Sequence, residues 1–98
     1  DVLALVASKL DEIVSEPQII EVLKRISAGR IYNLREAGPS AELEANEVSC
    51  IYESESALFD STLSWIIYVS HEDSITFGGA ALIAEIVRLC PKWKPLVW

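Results

Sequence analysis

The only histidine of the chain stands in the stretch YVSHEDSITFGG, residues 68–79, beside two acids. His71, Glu72 and Asp73 are flanked by Ser70 and Ser74. An imidazole among carboxylates and hydroxyls is the material of general acid–base or nucleophilic catalysis. That chemistry needs a nucleophile or a water aimed at His71 and an orienting acid on its far side. Consecutive residues rarely meet in that way, because successive side chains of an extended segment face opposite sides. The stretch also lies between two β-patterned segments. It therefore predicts the polar tip of a hairpin, with Ser70 and Ser74 hydrogen-bonding to the turn backbone. No catalytic set is expected, and the chain reads as non-enzymatic. The alternative is a small-molecule binder or minor enzyme, with a pocket near His71 lined by Tyr52, Trp65 and Tyr68.

Two further groups invite chemistry and fall short of it. Cys50 and Cys90 lack the paired spacing of a zinc ribbon or a redox dithiol. With His71 they make at most three ligands, fewer than a closed zinc site needs. A disulfide between them would require an oxidising compartment. FGGAA places two glycines before a helix, as a phosphate cradle does. The stretch lacks both the Walker lysine and the dinucleotide fingerprint, so a tight turn onto the sheet is expected instead. No metal and no cofactor are predicted.

Charge says more. The net charge is −7, and it is uneven. From Glu36 to Ala84 there are nine acids and no Lys or Arg. The remainder carries six acids and eight bases, a net +2. Such a segment does not favour nucleic acid or anionic lipid. It favours a basic protein partner, which carboxylates steer and hold. Glu47, Glu53, Glu55, Glu72 and Asp73 are the candidate partner-binding residues. An immunity or antitoxin-type inhibitor fits this logic, and so does a homodimer with an acidic surface.

The elements that must carry these residues fit a single domain, since the chain has 98 residues. Hydrophobic residues make up 51%, so either the core is rich or a partner covers apolar surface. No apolar run is long enough to span a bilayer, so no membrane partner is expected. The start, DVLALVASKLDEIVSE, lacks the basic front of a signal peptide, and a cytoplasmic location is expected. Its apolar residues Val2, Leu3, Val6, Leu10, Ile13 and Val14 recur at helical spacing. In SEPQ, Ser15 and Gln18 match a capping box, with Pro17 in the first turn. A second helix follows, through Ile19, Ile20, Leu23 and Ile26, and Gly29 closes it.

After Gly29 the period changes. RIYNL is a short strand, and EAGPSAELEA is a loop broken at Gly38 and Pro39. EVSCIYESE alternates as a half-buried strand. TLSWIIYVS is the strongest strand, and being apolar on both faces it is expected to be central in the sheet or covered on both sides. SITF returns antiparallel. GGAALIAEIVRLC is a buried helix ended by Pro91. The tail PKWKPLVW places Trp93, Leu96 and Trp98 where a chain end is normally polar, so it either closes the core or forms an interface. GRIYNLREAG and KWKPLV faintly resemble signatures of the helical N-terminal domain of transcription elongation factors. That domain is all helical and its signatures lie much closer together, so no family is assigned.

The predicted fold is α+β. Residues 1–29 form a helical hairpin, 30–78 an antiparallel sheet of three to four strands, and 79–98 a helix packed on the sheet with an apolar tail.

Overall fold

A computed structural model describes residues 1–35, 39–53 and 55–98. The loop break expected at Gly38, and Glu36 of the acidic stretch, lie outside the described residues. The chain is one small α+β domain. Its described strands form a six-stranded antiparallel sheet in the order β1-β6-β5-β4-β2-β3. These are β1 (Val2–Val6), β2 (Ile31–Arg35), β3 (Ala41–Leu43), β4 (Ser56–Asp60), β5 (Ile66–Val69) and β6 (Ser74–Gly78). The helices are α1 (Ala7–Asp11), α2 (Glu16–Ile26) and α3 (Ala80–Leu89).

The largest correction concerns the start. Residues 2–6 are a strand, not the first turns of a helix. β1 pairs along its whole length with β6, from Val2 opposite Gly78 to Val6 opposite Ser74. The sequence VLALV is apolar throughout, so it satisfies a period of two as well as a period of 3.6. Leu3 and Leu5 point into the core, while Val2, Ala4 and Val6 point away. A ladder of distant partners decides between two patterns that local spacing leaves equal. The helical remnant is α1, whose Leu10 is buried.

The second helix starts where the cap is read. Gln18 Oε1 accepts the Ser15 N–H at 2.8 Å, and Pro17 sits in the first turn. Ile19, Val22 and Leu23 face the core. Gly29 follows with φ +76°, beyond the Ser27 cap.

Residues 47–53, the described part of EVSCIYESE before its last two positions, form no strand. Ala45–Glu47 forms a 3-10 turn, and Cys50 stands at φ +56°. Val48 and Ile51, three apart, are both buried. The Glu16 carboxylate accepts the Ile51 N–H at 2.6 Å, and Tyr52 donates its O–H to the Val14 carbonyl at 2.7 Å. The Glu16 side chain thus satisfies one N–H of the crossing that a strand ladder would otherwise satisfy, and the Tyr52 hydroxyl ties the crossing to the backbone at Val14.

The neighbouring strand is β4, SALFD. Its inward positions are Ser56, Leu58 and Asp60, and its outward ones are Ala57 and Phe59. Two of its three inward residues are polar and both outward ones are apolar, against the usual pattern for a half-buried strand, and this hid the strand.

β5 is interior to the sheet, with Trp65, Ile67 and Val69 buried on the helix side. Ile66 and Tyr68 are exposed, so this strand is covered on one face and not on both. The core joins Leu3, Leu5, Ile67, Ile75 and Phe77 of the sheet to Leu23, Leu82 and Ile86 of the helices. Each fully buried aromatic or branched side chain there contributes about 1.5–3 kcal/mol of transfer free energy.

Candidate functional site

The β5–β6 hairpin turns at residues 70–73, at the end of the sheet where β4 begins. Ser70 donates its N–H to the Ser74 carbonyl at 3.0 Å, and the two hydroxyls lie 2.7 Å apart. Ser70 Oγ also accepts the Glu72 N–H at 3.1 Å. HED is therefore a turn braced by its flanking serines. Asp73 takes φ +65°, a conformation that Asp tolerates better than most residues.

The acids around this turn have distinct positions. Asp73 holds the start of α1: its carbonyl accepts the Ala7 N–H at 2.8 Å, and its carboxylate accepts the Ser8 N–H at 2.9 Å and the Ser8 hydroxyl at 2.6 Å. Glu55 accepts the His71 N–H at 3.1 Å and also pairs with the imidazole through Nδ1. Tyr52, Glu53, Glu55, Val69, Ser70, His71 and Asp73 line one shallow cavity of about 430 Å³. Glu72 stands exposed at the tip beside it. Four of the five acids named from sequence thus gather at one end of the sheet. Glu47 does not: it belongs to the 3-10 turn against α2, where it accepts the Glu44 N–H at 2.7 Å.

The four candidate pocket residues separate. Tyr52 and His71 share the cavity. Burial and then the charge of Asp11 push the Tyr52 phenol well up, so it stays a neutral donor at neutral pH. Trp65 is in the core, and Tyr68 stands on the opposite face of the sheet.

The tail follows the edge of the sheet. Val97 bridges Leu5, and Trp98 donates its backbone N–H to the Ala4 carbonyl at 3.0 Å. Leu96 is buried, and Trp93 packs partly buried against the core. Trp98 stays exposed, with its indole N–H 3.3 Å from the Glu72 carbonyl. Cys50 is exposed and Cys90 buried, and both are free thiols.

Sequence reasoning missed Asp60. It is completely buried at the end of β4. Its Oδ2 accepts the Ala28 N–H at 2.9 Å and the Trp65 indole N–H at 3.0 Å. Its Oδ1 accepts the Thr62 N–H at 2.9 Å and the Thr62 hydroxyl. Burial pushes its pKa up, but these bonds together outweigh burial and hold the carboxyl below its ordinary range. The spacing D-x-T was the available signal, because an Asp often accepts the N–H two residues on. This cluster is a structural staple: it ties the end of α2, the β4–β5 turn and the core together.

Among the described residues no cluster of three His, Cys, Asp or Glu side chains is placed to hold a metal, and no helix is long and apolar enough to cross a membrane. No protein-family model, curated protein or solved structure matches the chain.

Proposed function

We propose that the chain is a non-enzymatic protein-binding module that presents its acidic hairpin end to a basic partner surface. Inhibitor or immunity-like action and self-association are the two forms this reading takes. One observation carries it: Glu53, Glu55 and Asp73 line the same cavity, with Glu72 at its tip, in a segment without Lys or Arg. Glu55 and Asp73 are held by internal hydrogen bonds, so the cluster is pre-organised. Glu53 and Glu72 are exposed and supply the steering charge.

A Lys-rich peptide is a sufficient probe. The double variant Glu53→Gln/Glu72→Gln should bind it about five-fold more weakly, since exposed ion pairs are worth about 0.2–1 kcal/mol each. Its salt dependence should flatten. The control pair Glu12→Gln/Glu21→Gln, on α1–α2, should lose less. Equal losses in the two pairs would mean that only net charge matters, and the site assignment would fail.

The small-molecule reading draws on the same cavity, where Tyr52 and Val69 are apolar walls beside His71. A ligand from a metabolite screen that raises Tm in the wild type, but not in His71→Ala, would favour it.

A further inference from the structure

The helices and the inward side chains of the strands share one core, which leaves the other face of the sheet open. Its exposed members are Val2 at 73%, Leu34 at 48%, Tyr68 at 42% and Ile66 at 40%. Strand alternation and register place Ala4, Thr76, Ala57, Phe59 and Tyr32 on the same face. Tyr32 and Phe59 pack ring to ring across β2 and β4, with centroids 5.8 Å apart. Among the described residues, the outward positions of these five strands carry no charged side chain. Glu42, on the outermost strand β3, is the first.

We infer that this open face is where a second copy of the chain docks, sheet against sheet. The inference rests on the chain being a binding module, but it names a different surface and a different partner from the acidic end. Charge selects the occupant. The chain carries −7, so two copies repel overall as they approach. The neutral face is where they can meet without burying like charges. A basic partner, suited to the acidic end, would find no carboxylate at the outward positions of these five strands. An isologous contact needs a self-complementary patch, and a neutral apolar face centred on Ile66 and Tyr68 is one.

Strand addition is less open to a second copy. The Leu5–Val97 bridge and the Trp98–Ala4 hydrogen bond occupy the β1 edge. Beside the β3 edge, Arg30 is paired with Glu42 and Glu44. Size also fits. The five strands of this face, spaced about 4.8 Å apart and most of them five residues long at about 3.4 Å per residue, give a face of roughly 19 by 17 Å. Two such faces cover about 650 Å² in projection, and side-chain relief brings the buried area toward the roughly 1,000 Å² that a specific interface needs.

The test is sedimentation of the full chain across a range of concentrations. Ile66→Lys/Tyr68→Lys should raise the dimer dissociation constant at least a hundred-fold while leaving the circular dichroism spectrum unchanged. Leu63→Lys alters an exposed leucine outside this face, in the β4–β5 turn, and should leave the dimer intact. If the double variant fails to fold, Thr76→Lys, opposite Tyr68 on the same face, takes its place. Glu53→Gln/Glu72→Gln should leave the dimer in place, which separates this inference from the acidic-end reading. A wild type that stays monomeric, or face variants that dimerise as the wild type does, would overturn it.

Discussion

Asp60→Ala should destabilise the protein by about 3 kcal/mol, because three buried or half-buried N–H groups and a hydroxyl lose their shared acceptor at once. The donors are those of Ala28, Thr62 and the Trp65 indole. For a domain of this size that loss lowers Tm by roughly 15 °C. Asp60→Asn keeps the shape but not the charge, and should fall between the two. The carboxyl also gives the stability a pH signature. Its pKa in the folded chain lies below its unfolded value, so the folded state favours the charged form. That stabilisation is complete above the unfolded pKa of about 4 and is lost as pH falls through the folded value. Urea unfolding of the wild type should therefore weaken on acidification more steeply than that of Asp60→Asn. Parallel pH profiles would remove Asp60 from the list of stabilising groups.

Gly79→Ala should be comparably severe. Gly79 caps α3 at φ +101°, a region that side chains rarely adopt. A Cβ built there would lie 2.2 Å from the Ser64 carbonyl oxygen and 2.9 Å from the Trp65 Cα. Both are backbone atoms and cannot turn aside, so the start of α3 or the β4–β5 turn must move. A cost of about 3 kcal/mol or more is expected from strain and overlap combined. Gly29→Ala provides the contrast. Its φ is also positive, at +76°, but nothing lies within 4 Å of its Cβ position. Only the left-handed backbone preference is lost there, about 1 kcal/mol. Chemical denaturation of the two variants checks both values. Similar costs at the two sites would show that the close approach of Gly79 to the turn is not a packing constraint.

The two sites also mark what the sequence could and could not disclose. The capping residues of α2, the serine-braced turn at HED, the glycine pair before α3 and the stop at Pro91 are local devices, and each is written in neighbouring residues. The acidic gathering was partly legible, because charge counts survive any fold. Its geometry was not: Glu47 and Glu53 are close in the chain but part company, since the segment between them crosses the core instead of running as a strand.

β1 and β4 were lost for two different reasons. β1 has no polar residue to choose between periods, and β6, seventy residues away, decides the matter. β4 has its two polar residues, Ser56 and Asp60, inside beside Leu58, while Ala57 and Phe59 are outside. That reversal follows from the open face of the sheet, which keeps apolar side chains where water is expected, and from Asp60, which sits where a hydrophobe is expected. The same open face explains why the apolar content exceeded what the core consumes. Ile66 and Tyr68 belong to that surplus and are not covered on their side of the sheet.

The solution mass of the unmodified chain, measured by light scattering at low and at high salt, tests the assignment of that face most directly. Docking through the neutral face predicts a species of twice the chain mass that tightens as salt rises, because salt screens the repulsion between two acidic copies while apolar contact persists. A monomer at every concentration, or a dimer that dissociates in salt, would contradict it.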